Sequence, residues 1–85
     1  MARAAVQVKN REVVGNDVRL QLYVIFFGTD MAAPDSTIIE VLATGTDTFA
    51  TWKARRNAAI SAEAQRLGIT WNGKIVSDSD LLRDA

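Results

Sequence analysis

Apolar and polar residues alternate over the first third of the chain, and this pattern predicts a long β-hairpin. Apolar side chains recur at every second position from Ala4 to Val8, and a second alternating run begins near Val18. Between the two runs, Gly15-Asn16-Asp17 has the composition of a tight turn. From Tyr23 to Phe27 the alternation ends, because every side chain there is apolar or aromatic. A strand of this kind needs cover on both of its faces.

Residues 36–44 carry two conflicting signals. Thr37, Ile38, Ile39 and Val41 are β-branched and favour a strand, whereas Thr37 with Glu40 three residues later imitates the capping box that begins a helix. We expect a strand here, and the helix stays open as the alternative.

One long helix follows this segment. Thr46 or Asp47 can cap its start, and Gly68 followed by Ile69 fits a left-handed cap at its end. At about 100° per residue, one arc of the helix collects the side chains expected to lie on the sheet. These are Phe49, Trp52, Ile60 and Leu67, with Ala59 and Ala64 at the margins. Arg56 and Glu63 fall in the same arc, so each must extend to solvent, pair within the chain or contact a neighbouring chain. We expect the explanation within the chain.

A second hairpin signal follows the helix, because Asn72-Gly73 is the dipeptide best suited to a type I′ turn. The sequence therefore predicts an α+β fold in a single domain over residues 1–85. Its small, mostly antiparallel sheet consists of the long N-terminal hairpin plus a third strand and packs on one long helix, with a short C-terminal hairpin. Residues 77–85 could form a flexible tail or a short terminal turn. The order of the strands is left open.

Composition removes most catalytic designs. The 85 residues include ten basic and ten acidic side chains, no Cys and no His. The commonest general base, the thiolate nucleophile and the softer metal ligands are therefore absent. We expect no enzyme activity, no catalytic residue, no metal, no cofactor and no small-molecule substrate. The apolar run ending at Phe27 is about half the ~20 residues that a membrane span needs, so we also expect no membrane partner.

The strand with two apolar faces predicts assembly. One helix can cover one face of a small sheet, so a second protein chain is expected to cover the other. We predict three groups of interface residues: Tyr23, Ile25 and Phe27 on the strand, Ala50, Ala54, Ala58 and Ala62 along the helix, and Leu81 and Leu82 near the C-terminus. The alanines also have a simpler interpretation, since Ala is the best helix former and fills solvent faces.

A nucleic-acid-binding module is the alternative function. Its contacts would come from the basic residues of the helix, Lys53, Arg55, Arg56 and Arg66. These side chains spread over more than half of the helix circumference, whereas a helix that reads a groove or follows phosphates gathers its basic residues on one face. A basic patch in which Lys9, Arg11 and Arg19 join the helix residues would support this alternative.

The order of elements carries a resemblance. A hairpin over Val6 to Phe27 is followed by Thr37-Ile38-Ile39-Glu40-Val41-Leu42, which runs into Thr46-Asp47-Thr48-Phe49, and the helix ends at Leu67-Gly68-Ile69. In this arrangement the chain resembles small virion structural proteins of tailed bacteriophages. The resemblance is one of layout, so it carries over no functional residue. It implies a non-enzymatic, multicopy component of a head, neck or tail.

The resemblance also implies partners and a location. The expected partners are copies of this chain, other virion proteins, or both, and nucleic acid is disfavoured. The expected location is the virion, assembled in the host cytoplasm, and otherwise the cytoplasm.

Overall fold

A computed structural model of the protein describes residues 1–76. Its elements in chain order are β1 (Ala2–Val14), β2 (Asp17–Phe27), β3 (Asp35–Ala43), α1 (Phe49–Arg66) and β4 (Trp71–Ile75). The predicted interface residues Leu81 and Leu82, and the tail over 77–85, lie outside the described residues.

The predicted N-terminal hairpin is confirmed. β1 pairs antiparallel with β2 from Val14 opposite Asp17 to Arg3 opposite Phe27. The turn between them has φ of +62° at Gly15, and across residues 1–76 every positive φ belongs to a glycine. A two-residue turn with positive φ at its first central position only is type II′, which suits the twist of a hairpin and favours Gly at that position. A β-bulge between Val8 and Asn10 interrupts the ladder.

The four strands form one open sheet in the order β3-β2-β1-β4. Residues 35–43 form a strand, as expected, and this strand pairs antiparallel with β2 along its whole length. β4 pairs with β1 in parallel, so the sheet is mostly antiparallel, and with one helix the fold is α+β as predicted. β3 and β4 are therefore the two edge strands.

The C-terminal hairpin is seen only in part. The chain turns at Asn72-Gly73, but Trp71–Ile75 is one strand beside β1, with Trp71 level with Ala2 and Ile75 level with Ala4. Gly73 has φ of +81° whereas Asn72 does not have a positive φ, so the type I′ turn predicted here is wrong. The dipeptide instead forms an irregularity within β4, because this strand pairs with β1 and not with a second strand of its own hairpin.

The helix matches its sequence signals closely. Thr48 is the N-cap and forms a capping box with Thr51, so the cap is one residue after Asp47 and two after Thr46, where it was predicted. At the other end Gly68 has φ of +74°, and the amide of Ile69 donates to the carbonyl of Ala64 at 2.8 Å. This bond is the longer one of a Schellman motif, so the predicted left-handed cap is confirmed.

The core lies between α1 and one face of the sheet. It contains alternate residues of the strands together with the inner face of the helix: Ala2, Ala4, Leu22, Val24, Phe26, Ile39, Val41, Ile60, Ala64 and Ile75. Trp52, Ala59 and Leu67 pack against this cluster, as the helical arc predicts. Phe49 does not, since it is 72% exposed. It is the first residue of α1, and its ring stacks on Trp52 with centroids 6.2 Å apart instead of reaching the sheet.

The two charged residues within the helical arc are accommodated inside the chain, as expected. Arg56 is only 8% exposed, and its guanidinium lies 5.4 Å from the centroid of the Trp52 ring. The Glu63 carboxylate accepts a hydrogen bond from Thr37 of β3 at 3.1 Å and pairs with Arg66. Both groups border the contact between the helix and the sheet, where a long side chain can bury its stem and satisfy its charge.

Candidate assembly surface

The sheet face opposite α1 has an apolar centre. Tyr23, Ile25 and Phe27 project to this side, because the alternate residues Leu22, Val24 and Phe26 are buried beneath the helix. Register places further apolar residues beside them: Ala5 lies opposite Ile25, and Ile38 lies opposite Tyr23. Leu42 shares the same face of β3. We call this surface the open face, and its residues are Ala5, Tyr23, Ile25, Phe27, Ile38 and Leu42.

The open face is partly exposed in the single chain. Ile38 is 50% and Leu42 40% exposed, whereas Tyr23, Ile25 and Phe27 are partly buried by their neighbours on the adjoining strands. β-branched and aromatic side chains of this kind make up the inner faces of packed sheets. Exposed apolar side chains grouped on one sheet face are typical of a surface that another chain covers.

Charged side chains surround this apolar centre. The Arg3 guanidinium lies 5.0 Å from the centroid of the Phe27 ring, and the Lys9 ammonium lies 6.0 Å from that of Tyr23. Farther along β2, Arg19 pairs with Glu12 of β1 at 3.5 Å and with Glu40 of β3 at 3.2 Å, and these charges separate Leu42 from the rest of the apolar residues. An apolar centre within a polar rim is the usual anatomy of a protein–protein interface.

The open face also has relief. In the row across the middle of the sheet, Ile25 stands between Ala5 and Ser36, both small. The next row places Tyr23 between Gln7 and Ile38, which are larger. The row of small residues forms a groove and the row of larger residues forms a ridge. Such relief can interdigitate with the side chains of a second sheet, since packed sheets lie about 10 Å apart with their side chains interleaved.

The predicted alanine row is on the other side of the molecule. Ala50, Ala54, Ala58 and Ala62 are all exposed on α1, away from the core residues Ile60 and Ala64. The open face and the alanine row are therefore separated by the sheet and the helix. The structure brings together Tyr23, Ile25 and Phe27, and it does not bring the alanines to them.

Two of the four basic residues proposed for nucleic acid have partners in the fold. The Arg55 guanidinium donates to both carboxylate oxygens of Asp47, at 2.7 and 2.9 Å, and to the Leu42 carbonyl at 2.6 Å. This arrangement holds the pKa of Asp47 well below its ordinary value, through the Arg55 bonds first and the Thr44 amide second. Arg66 pairs with Glu63, and that pairing, with the Thr37 hydroxyl, lowers the pKa of the Glu63 carboxyl.

The other two basic residues lie against aromatic rings. Arg56 is buried over Trp52 and donates from Nε to the Asn57 side chain at 3.1 Å. The Lys53 ammonium lies 5.6 Å from the centroid of Phe49. Of the three strand residues that would have to join them, Lys9 and Arg19 point to the open face on the opposite side of the sheet, and only Arg11, opposite Leu20, is on the side of the helix. The geometry therefore does not gather the basic side chains into one patch.

Sequence reasoning missed three members of the open face. Their place on this face depends on the register between strands. Ala5 lies opposite Ile25, Ile38 lies opposite Tyr23, and Leu42 lies opposite Arg19. Alternation within β3 does separate Ile38 and Leu42 from the buried Ile39 and Val41. That signal was available, but it does not say which of the two sets faces the helix.

Residues 1–76 also hold carboxylates and a cleft that lie outside the open face. In this part of the chain no group of three His, Cys, Asp or Glu side chains is placed to hold a metal ion. A cleft beside Ala2, Met31 and Gly68 contains one carboxylate, Asp30, which pairs with the N-terminal amine at 3.0 Å. That amine is the main reason why the pKa of Asp30 is lowered. Across the same residues, no helix has both the length and the apolar character to cross a membrane.

Comparison with known proteins identifies no relative: no family model, no curated protein and no solved structure matches the chain.

Proposed function

We propose that this chain is a non-enzymatic structural protein that assembles in multiple copies by burying the open face. The observation that carries the proposal is the apolar centre formed by Tyr23, Ile25, Phe27 and Ile38 on the sheet face that α1 leaves uncovered. An apolar sheet face exposed to water costs free energy, and burial of such a surface drives most protein association.

The partner that suits this surface is another protein. The open face combines aromatic and β-branched side chains with both signs of charge at its rim, and the chain as a whole has a net charge of zero. A surface that grips an anionic polymer would instead concentrate positive charge. Repeated copies of this chain are the simplest partner, because the same apolar centre is then available on both sides of the contact.

The proposed setting is the virion of a tailed bacteriophage. The basis is the resemblance in the order of elements, from the hairpin through β3 to the single helix with its Gly68 cap. Head, neck and tail components function by permanent contact in many copies. A small domain with one apolar sheet face uncovered is suited to permanent assembly, since obligate interfaces resemble a hydrophobic core divided between two chains.

The first test measures absolute mass in solution by light scattering coupled to size-exclusion chromatography, over a wide range of protein concentration. We expect multimers whose mass grows with concentration. Ile25→Lys places a charge at the centre of the open face, and burying an unpaired charge costs several kcal/mol, so the variant should not form the multimers whose mass grows with concentration.

Gln65→Lys is the matched control, because it adds the same charge at an exposed position of α1. It should assemble like the wild-type protein. Circular dichroism and a cooperative thermal transition would establish that Ile25→Lys is folded. Assembly of a folded Ile25→Lys protein at wild-type mass, or a wild-type protein that is monomeric throughout, would contradict the proposal.

A further inference from the structure

At every second residue of β3, the backbone N–H and C=O groups point to the free edge of the sheet. Val14 and Asp17 flank a two-residue hairpin turn, so they form a hydrogen-bonded pair between β1 and β2. Along β2 the backbone N–H and C=O groups then point alternately to β1 and to β3. Asp17 points to β1, so Leu22, an odd number of residues later, points to β3. Ile39, opposite Leu22, therefore bonds inward. The N–H and C=O groups of Ile38 and Glu40 face outward, away from β2.

Two contacts support this assignment. The Leu42 carbonyl, which has the same parity as Glu40, accepts the Arg55 guanidinium at 2.6 Å from outside the sheet. On the other side of the hairpin, the Ala4 carbonyl accepts the Val76 amide at 2.6 Å, so Ala4 faces β4 as the same alternation requires.

The outward groups at the two ends of β3 already have partners. The Ser36 amide donates to the Asp35 carboxylate at 3.0 Å, and the Leu42 carbonyl accepts Arg55. Within residues 1–76, the remaining outward groups have no hydrogen-bond partner. They are the Ser36 carbonyl, both groups of Ile38, both groups of Glu40 and the Leu42 amide.

We propose that this free edge pairs antiparallel with β3 of a second copy, about a two-fold axis at Ile39. With Ile39 opposite its own counterpart, Ile38 faces Glu40 of the second copy and Ser36 faces Leu42. Every open group then meets an open group of the opposite kind. The Ser36 amide and the Leu42 carbonyl, each satisfied within its own chain, face each other and require no bond. The inference rests on the proposed function, since it gives the geometry of one contact in that assembly.

The opposite edge of the sheet differs from β3. β4 is only five residues long, and β1 beyond it carries a bulge at Lys9 followed by Arg11. Short strands, bulges and basic side chains are devices that prevent a sheet edge from pairing. β3 has nine residues and contains no Lys, Arg or Pro. Its one central charge, Glu40, is already paired with Arg19.

The helix leaves room for this contact. Arg55 reaches the edge of β3, and Ala58 and Ala62 follow it at three and seven residues, on the same side of α1. Both alanines are exposed. Along the helix they lie between Arg55, which binds the Leu42 carbonyl, and Glu63, which binds Thr37, so they are level with the middle of β3. A two-fold axis at Ile39 would therefore place these small side chains near the helix of the second copy, where they permit close approach.

Hydrogen exchange of the wild-type protein tests the proposal directly. At a concentration where nine in ten copies are assembled, the amides of Ile38, Glu40 and Leu42 should exchange about tenfold more slowly than in dilute protein. The factor is about ten because exchange then proceeds through the one copy in ten that remains unassembled. The Val13 amide, outward-facing at the exposed end of the hairpin, is the control and should not change.

Single cysteines then test the register, since the chain has no Cys of its own. Directly opposite residues in a non-hydrogen-bonded pair are about 4.5 Å apart at Cα, which a disulfide can bridge. Ile39→Cys should therefore form a disulfide-linked dimer under mild oxidation, and the matched variant Val41→Cys, which is buried on the same face of β3 but two residues from the axis, should not. Ile39 is buried, so the exchange measurement on wild-type protein answers the question if Ile39→Cys fails to fold.

The outcomes separate this inference from the function beneath it. Assembly by light scattering with unprotected amides at Ile38, Glu40 and Leu42 would overturn the edge contact and leave assembly through the open face standing. Equal cross-linking at Ile39 and Val41 would overturn the register. A wild-type protein that is monomeric throughout would overturn both proposals.

Discussion

Arg55 connects three parts of the chain at the level of single residues. Its guanidinium binds Asp47, in the loop before α1, and the carbonyl of Leu42, near the end of β3. Asp47 also accepts the amide of Thr44 at 2.8 Å and the hydroxyl of Thr51 at 3.1 Å. The carboxylate thereby joins the end of β3, the loop and the first turn of α1, beside the cap at Thr48.

Removal of this charge should destabilise the fold in a pH-dependent way. Because the folded state lowers the pKa of Asp47, its contribution to the free energy of unfolding is complete above about pH 4 and is lost as the pH falls toward the folded-state pKa. Asp47→Asn should therefore unfold at lower urea concentration than wild type at pH 7, and the difference should shrink below pH 4. Urea titrations at both pH values measure this. A difference that stays constant across the range would show that the charge contributes nothing.

At the scale of elements, local signals predicted the hairpin, the helix and its C-cap, because turn and cap chemistry depends on neighbours in sequence. Asn72-Gly73 failed as a type I′ turn because β1, distant in sequence, supplies the partner of β4. Strand order failed to emerge for the same reason. Within the candidate surface, alternation was sufficient to group Tyr23 with Phe27, whereas Ile38 needed the register between β2 and β3.

The alanine row divides into two parts at this scale. Ala58 lies on the side of α1 that reaches the β3 edge with Arg55, whereas Ala50 lies in the first turn, farther round the helix. Ala58→Phe should weaken the edge contact and raise its dissociation constant about tenfold or more, since a misplaced ring costs 1–3 kcal/mol in a close contact. Ala50→Phe makes the same change and should have little effect. Sedimentation equilibrium of the two variants measures the difference, and equal constants would count against a helix contact at Ala58.

For the whole molecule, the core lies on one side of a sheet in an 85-residue chain. Domains of this size have little stability to spare, so burial of a second sheet face would add to the free energy of unfolding. Fold and assembly are then linked, because a partner that binds the folded state stabilises it by mass action.

This linkage predicts a melting temperature that depends on protein concentration. The wild-type protein should melt several degrees higher at a hundredfold higher concentration, since the corresponding gain in free energy is about 2.7 kcal/mol at most. The Ile25→Lys protein, which loses the open-face contact and keeps only the β3 edge, should show a smaller rise in melting temperature over the same range. Differential scanning calorimetry at matched concentrations measures both. A wild-type melting temperature that is independent of concentration would show that folding and assembly are separate.

The bulge at Lys9 has a consequence for how many copies can join. It distorts β1 on one side of the sheet, while β3 on the other side stays regular. Within residues 1–76, β3 is the edge without such a device, so pairing through it joins two copies and does not continue as a ribbon. Any larger particle must then grow by stacking such pairs through their open faces, and the pair, not the single chain, would be its building unit.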